Sequence, residues 1–194
     1  MKLNAKELRN VSEVDIKKKL SDIKRIPLIF ILENIYDTYN IGGLFRLADA
    51  LAIEKIYLCG ETEIPPNHRI KKASIGTYKV VPWKYCKTVK EAIEEIKLKH
   101  KSQNKNNNGI IEQLNNDLKI IAVEQDRAAV DYRKADYKLP LALVFGNETS
   151  GILPETLGMV NTIVEIPMWG INKSLNVIVS AAIVSYTAAS KLSL

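Results

Sequence analysis

Cysteine is scarce in this chain of 194 residues, which contains only Cys59 and Cys86. Each lies inside or beside an apolar run and away from other metal-ligand residues, so we expect neither a disulfide framework nor a metal site. A reduced, cytoplasmic setting is predicted. The N-terminal MKLNAKELRN lacks the apolar core of a signal peptide. Runs of about 18 apolar residues are also missing, and the closest, 177–190, is interrupted by three hydroxyl residues, which favours a buried helix over a membrane span.

Acidic residues are absent between positions 64 and 90, where the whole basic surplus of the chain lies. The chain has 28 Lys and Arg against 22 Asp and Glu, a net charge of +6. Seven of those basic residues fall in the segment: Arg69, Lys71, Lys72, Lys79, Lys84, Lys87 and Lys90. Interleaved aromatic residues suit a polyanion whose bases can stack. The alternative is a solvated loop and strand edge that happen to be basic.

The pattern of apolar residues predicts alternating strands and helices. Strands are predicted over 26–33, 52–59, 119–125, 139–146 and 161–167, with a further candidate over 78–83. Helices are predicted over 4–23, 41–52, 88–101 and 152–159, and after residue 174. This alternation indicates an α/β fold with a mainly parallel sheet and helices on both faces. With 46% hydrophobic residues, the chain is long enough for one full core.

Two regions depart from this pattern and set the expected domain organisation. Residues 100–117 are rich in Asn, Lys and Gln, which predicts a surface insertion without chemistry of its own. The first 25 residues are predicted to form a helical extension. A single domain would then span residues 26–194.

Polar residues gather after three of the predicted strands, where an open parallel sheet binds its ligands. The first cluster, ENIYDTYNIGGLFRLADA, contains Asn40 and Arg46. The second, FGNETSG, contains Glu148, and the third, IPMWGINKSLNVIV, contains Ser174 and Asn176. These three clusters are the candidate functional site.

Each cluster also has a structural explanation. Gly42 and Gly43 could mark a tight strand-to-helix turn, and GNETSG could be an ordinary turn. Ser174 and Asn176 could cap the helix that follows them. A dinucleotide site is disfavoured, because NIGGLF lacks the G-x-G-x-x-G spacing that brings backbone close to a pyrophosphate.

Taken in order, the three clusters resemble the signature motifs of the SpoU/TrmH branch of the SPOUT RNA methyltransferases. The matching patterns are N-x-G-G-x-x-R-x-A-D-A, F-G-N-E-x-x-G and I-P-M-x-G-x-x-x-S-L-N-V, and the resemblance runs from about Pro27 to Lys191. It implies methyl transfer from S-adenosylmethionine to a ribose 2′-hydroxyl of tRNA or rRNA by a homodimer. It also implies that the C-terminal segment forms a deep trefoil knot. Neither a membrane nor a metal is expected among the partners.

The resemblance also assigns residues. The polar active-site set is Asn40, Arg46, Glu148, Ser174 and Asn176, and the cofactor-binding set is Gly146, Asn147, Gly151, Ile166, Met168, Ser174 and Leu175. In the family, the residue matching Arg46 is proposed to take the hydroxyl proton. A guanidinium is effectively always protonated, so we expect it to stabilise the developing oxyanion instead.

The basic segment supplies the candidate RNA contacts Arg69, Lys71, Lys72 and Lys84. The single domain favours a small folded substrate such as tRNA over rRNA. A catalytically silent RNA-binding relative is the alternative, although all five polar positions are present. One departure from the family pattern is Ala52-Ile53, where a glycine often precedes the second strand.

Overall fold

The computed structural model describes residues 3–10, 16, 23–106 and 118–192. Its helices are α1 (Ala5–Asn10), α2 (Thr38–Ala50), α3 (His68–Ser74), α4 (Val89–Asn106), α5 (Pro154–Leu157) and α6 (Val177–Lys191). Its strands are β1 (Ile26–Glu33), β2 (Ile53–Cys59), β3 (Trp83–Cys86), β4 (Lys119–Val123), β5 (Val130–Asp131), β6 (Leu141–Phe145) and β7 (Thr162–Glu165). Short 3₁₀ turns cover Thr77–Lys79 and Tyr132–Lys134.

The strands form one seven-stranded sheet in the order β3-β2-β1-β6-β4-β7-β5. Every pairing among these strands is parallel. Strand β1, apolar from Ile26 to Leu32, lies inside the sheet, with Phe30 opposite Ile56 of β2 and Leu143 of β6. The predicted α/β fold with a mainly parallel sheet is confirmed.

Helices cover both faces of the sheet. Successive side chains of β1 point to opposite faces, so both faces carry apolar side chains that must be covered. Phe30 faces the cluster formed with α2, α3 and α6, where it meets Phe145 edge to face at a centroid distance of 5.3 Å. Ile31 faces the second cluster, to which α4 contributes Ile93 and Ile96. Two separate apolar layers therefore fix the sheet between the helices.

The paired glycines lie inside α2, so the interpretation of a strand-to-helix turn is wrong. A Cβ at Gly42 would lie 2.8 Å from the Ser74 backbone nitrogen of α3 and would overlap the Cβ of Ala73. A Cβ at Gly43 would meet Ile178 of α6. The two glycines let α2 approach both neighbouring helices, which holds the start of α2 beside the start of α6.

The prediction of a strand over 78–83 is also wrong. Gly76, with φ +92°, leads into the 3₁₀ turn, and β3 starts only after Pro82. Proline has no amide for a ladder, but its carbonyl accepts a hydrogen bond from the Ile56 amide at 2.9 Å. Sequence patterns also missed α3, which Asn67 caps by accepting from the amides of Arg69 and Ile70.

The predicted N-terminal helix is described only as α1 and the helical residue Ile16, since the rest of 4–23 lies outside the described residues. Helix α4 runs on to Asn106, so the predicted insertion begins inside a helix. Residues 107–117 of that insertion also lie outside the described residues. None of the helices in the described residues combines the length and the hydropathy that a membrane span needs.

Candidate active site

A pocket of about 280 Å³ opens at the carboxyl ends of β4, β6 and β7. Three loops line it: the one after β4, the one after β6, and the one that joins β7 to α6. All seven residues of the predicted cofactor set lie in its wall: Gly146, Asn147, Gly151, Ile166, Met168, Ser174 and Leu175. The fold thus gathers into one cavity residues that are up to 29 positions apart in sequence.

Asn147 organises the loop after β6 from a buried position. Its side-chain oxygen accepts from the amides of Thr149 and Ser150 at 2.8 and 2.9 Å, and its Nδ2 donates to the Asn34 carbonyl at 2.9 Å. Its backbone also exchanges hydrogen bonds with Gly151. Because these groups are already engaged, we expect Asn147 to shape the pocket.

Gly146 is required by the close packing of this same loop. A Cβ there would lie 2.5 Å from the backbone of Gly151 and Ile152. Gly151 has φ +69°, and a Cβ on it would lie 2.5 Å from a carboxylate oxygen of Glu124. These glycines are therefore needed for close packing within the protein, apart from any contact with a ligand.

Glu124 is a pocket residue that the sequence interpretation missed. It follows β4 directly, and the predicted strand over 119–125 absorbed it. Its Oε2 accepts from the Ile152 amide at 2.9 Å and its Oε1 from the Gln125 amide at 2.8 Å. The signal that could have found it is a carboxylate at the end of a buried strand. Lys173, also missed, lines the same pocket.

Three predicted polar residues from three separate loops and helices form one hydrogen-bonded chain. Asn176 donates from Nδ2 to Oδ1 of Asn40 at 3.0 Å, and Asn40 donates from its own Nδ2 to Oε1 of Glu148. Asn176 also caps α6 by accepting from the Ile178 amide at 2.9 Å. The capping explanation is therefore correct for Asn176, but it accounts for only one of its two side-chain contacts.

Ser174 and Arg46 stand outside this chain. Ser174 lines the pocket, and its amide donates to Asn172 at 3.3 Å. Arg46 is exposed on α2. Among the residues that the structure describes, its guanidinium has no hydrogen-bond or ion-pair partner. Its apolar sequence neighbours, Phe45 and Leu47, predict a buried position, but the side chain of Arg46 lies at the surface of α2.

The four candidate RNA contacts do not form one surface. Arg69, Lys71 and Lys72 are exposed on α3, which packs against α2. Lys84 lies on β3 and pairs with Glu95 of α4, a hydrogen bond that raises the pKa of Lys84. The basic segment thus contains unpaired cations on α3 and, at the edge of the sheet, Lys84, which is already paired with Glu95.

Curated relatives are similar along most of the chain. A tRNA (guanosine(18)-2′-O)-methyltransferase of Aquifex aeolicus is 27% identical over 94% of this chain and 75% of its own length. The 23S rRNA (guanosine-2′-O-)-methyltransferase RlmB of Ralstonia nicotianae is 26% identical over 90% of this chain and 63% of its own length.

The fold is shared with solved structures as well. The AdoMet-bound rRNA methyltransferase of Sinorhizobium meliloti matches with a TM-score of 0.70 and 25% identity, over 95% of this chain and 60% of the other. The chain therefore spans less than two thirds of two of these three relatives. The family model described as the SpoU rRNA Methylase family matches residues 27–103 and 100–186. This chain belongs to the SpoU rRNA methylase family.

Proposed function

We propose that this chain transfers a methyl group from S-adenosylmethionine to a ribose 2′-hydroxyl of RNA. The observation that carries the proposal is the pocket together with the Asn176–Asn40–Glu148 chain, because Glu148 belongs both to the wall of a small cavity and to a chain of hydrogen-bonded polar side chains. The volume of about 280 Å³ lies at the lower end of the range for small-ligand sites. The relatives named above carry the same activity in their names.

The pocket fits the proposed cofactor by its chemistry. Phe145, Met168 and Leu175 offer apolar contacts to an adenosine, while Lys173 offers a positive charge to the carboxylate of the amino-acid part. When bound, S-adenosylmethionine supplies an electrophilic methyl group: its carbon–sulfur bond breaks as a carbon–oxygen bond to the ribose forms, and the hydroxyl proton leaves to an acceptor or to solvent.

Glu148 is proposed to hold the ribose. Asn40 binds one of its carboxylate oxygens, and the second oxygen has no hydrogen-bond partner among the described residues. That oxygen can accept a hydrogen bond from a sugar hydroxyl. Asn40 fixes the carboxylate by donating to it. Asn40 is held in turn by Asn176, whose side-chain oxygen accepts from the Ile178 amide.

Arg46 is proposed to act as a cation. Its exposure and lack of a partner in the described chain leave all its donors available to a phosphate or to the developing oxyanion. A fixed positive charge at such a site stabilises the transition state more than the ground state.

The substrate is proposed to be tRNA rather than rRNA, because the compact domain offers one short basic surface on α3. RNA would contact Arg69, Lys71 and Lys72 mainly through phosphates, so binding should weaken with salt.

A homodimer is proposed as well. Apolar side chains are exposed beside the pocket and on α6, including Trp169 at 85% and Tyr186 at 52%, and a second copy would cover them. The knot and the cytoplasmic setting stay predictions.

The test is methyl transfer itself. The protein is incubated with isotopically labelled S-adenosylmethionine and size-separated unmodified tRNA or rRNA, and the RNA is digested to nucleosides for mass spectrometry. A labelled 2′-O-methylnucleoside is expected, with more label in tRNA. A labelled base would overturn the ribose assignment. Binding of both cofactor and RNA without any label would favour the silent relative.

A further inference from the structure

A second cavity, of about 530 Å³, opens beside Asn40 between the first turns of α2 and α3. We call it the tyrosine groove. Its lining residues come from the two segments that lead into these helices: Tyr36, Asp37, Thr38, Tyr39, Glu63, Asn67, His68 and Arg69. Tyr39 directly precedes Asn40 in the sequence, and Asn40 belongs to the polar chain of the proposed active site.

Two tyrosine rings in this groove face solvent although their backbone is fixed. Tyr36 and Tyr39 are 51% and 53% exposed. The hydroxyl of Tyr36 donates to Glu61 at 2.9 Å, and the amide of Tyr39 donates to Asp37 at 2.8 Å. The hydrogen bond of its hydroxyl restrains the ring of Tyr36, which therefore loses little conformational freedom when a flat ligand stacks on it, while the bond at Tyr39 fixes the backbone that carries the second ring.

The charges of the groove argue against a phosphate inside it. Asp37 and Glu63 contribute two carboxylates against the single guanidinium of Arg69. The side chain of Glu63 has no hydrogen-bond partner among the described residues, so it is free to accept from a base N–H. Unpaired cations occur instead on α3 beyond the groove, at Lys71 and Lys72.

We propose that the tyrosine groove binds an unpaired nucleobase of the substrate RNA, stacked on Tyr36 and Tyr39, next to the ribose held at Glu148. This inference rests on the proposed function. Stacking tolerates every base, and Glu63 can accept from the N–H donor that each RNA base presents at its edge. The sugar-phosphate backbone of the neighbouring nucleotides then runs along α3. The groove therefore positions the target strand, and α3 supplies the electrostatic attraction.

The test compares ring removal with ring retention. Variants carrying Tyr36→Ala and Tyr39→Ala, singly and together, are set against the matching Phe variants, and Leu98→Ala removes an exposed apolar side chain on α4, outside the basic segment, as a control. RNA affinity is measured over a range of salt concentrations, and cofactor affinity and thermal unfolding are measured in parallel. Each Ala variant should bind RNA about 10-fold more weakly. The slope of log affinity against log salt should stay unchanged, because the same phosphates remain bound.

Three results would overturn the proposal. Unchanged RNA affinity in the double Ala variant would show that no base stacks there. An equal loss in the Phe variants would assign the effect to the hydroxyl groups, and a reduced salt slope would assign it to phosphates. The Phe variants keep the test valid if an Ala variant fails to fold. Loss of the proposed function is distinguishable, because the wild-type chain would then methylate no RNA at all.

Discussion

The proposed cofactor pocket meets Asn40 through Glu148, the tyrosine groove contains its sequence neighbour Tyr39, and the two sites differ in how their side chains are used. In the pocket, Asn147 and Glu124 engage their side-chain groups with the loops that form its walls. In the groove, the tyrosine rings are half exposed, and Glu63 has no hydrogen-bond partner among the described residues. A site closed by internal hydrogen bonds suits one ligand of fixed shape, and an open site with free groups suits a segment of a variable polymer.

Asn40 connects the two regions. It lies in the first turn of α2, and its amide binds Glu148 and Asn176 on the pocket side, while its neighbour Tyr39 lines the groove. Gly42 and Gly43 fix this position by bringing α2 against α3 and α6. We therefore expect that variants on the pocket side, on the groove side and in the supporting helices will produce different defects.

The largest effect is expected from Arg46→Ala. A positioned catalytic group is typically worth about 100- to 10,000-fold, so kcat should fall by about 100-fold or more. Cofactor affinity should not change, since Arg46 does not line the pocket. Arg133→Ala, which removes an exposed arginine paired with Asp131 at the β5 edge, is the control and should keep full activity. Wild-type turnover in Arg46→Ala would refute its assignment.

Asn40→Ala should reduce kcat by about 10- to 100-fold, because Glu148 and Asn176 both lose the partner that positions them. Loss of the buried amide should also lower the free energy of unfolding by about 1–3 kcal/mol. The matched control is Asn161→Ala, which removes a hydrogen bond to the Ile120 amide away from the site. It should be destabilised but retain kcat. Equal kcat values in the two variants would show that Asn40 has only a structural role.

Reversing the charges on α3 should distinguish the contribution of α3 to RNA binding from that of Lys84 on β3. Lys71→Glu with Lys72→Glu should raise the apparent KM for RNA by about 10-fold and reduce the salt slope by about 1 for each phosphate that the variant no longer binds. Lys84→Glu should change KM less, since Lys84 already pairs with Glu95. Steady-state kinetics at several salt concentrations measure both quantities. A larger effect at Lys84 would move the RNA to the sheet edge.

Gly42→Ala should lower the free energy of unfolding by about 1–3 kcal/mol, because the added methyl group overlaps α3. Gly158→Ala is the control, since a Cβ there would lie 3.5 Å from its nearest neighbour, at an ordinary contact distance. Denaturant unfolding followed by circular dichroism gives both values. Equal stability of the two variants would contradict the close packing of α2 on α3.

The smallest effect is expected at Ala52, which holds φ +48° before β2. Left-handed backbone costs a residue with a Cβ about 1–2 kcal/mol, a cost that glycine does not have. Ala52→Gly should therefore raise the free energy of unfolding by about 1 kcal/mol without altering either site. Ala50→Gly, at the last residue of α2, should lower it. A loss of stability in Ala52→Gly would contradict the left-handed conformation.

The sequence was most informative where one physical constraint dominated. The run 26–33, apolar up to Leu32, is β1 without a change of boundary, because a strand buried on both faces needs an apolar side chain at nearly every position. The three polar clusters meet because parallel strands bring their carboxyl ends to one edge. The pocket residues could therefore be predicted from strand ends and motif order.

The remaining features depend on contacts between distant segments. The pairing of Lys84 with Glu95 divides the basic segment, and nothing local to residues 64–90 encodes it. The exposure of Arg46 depends on how α2 packs, which Gly42 and Gly43 determine through α3 and α6. The tyrosine groove requires α3, a short helix with basic residues in its last turn that apolar periodicity did not reveal.

The most direct test of the central claim removes the acceptor oxygen itself. Once the methylated nucleotide has been mapped, a substrate RNA with a single 2′-deoxy substitution at that position is compared with the unmodified RNA in binding and in methyl transfer. We predict nearly unchanged binding, because the base and the phosphates are retained, and complete loss of transfer. Continued transfer to the deoxy substrate would contradict a ribose oxygen as the methyl acceptor.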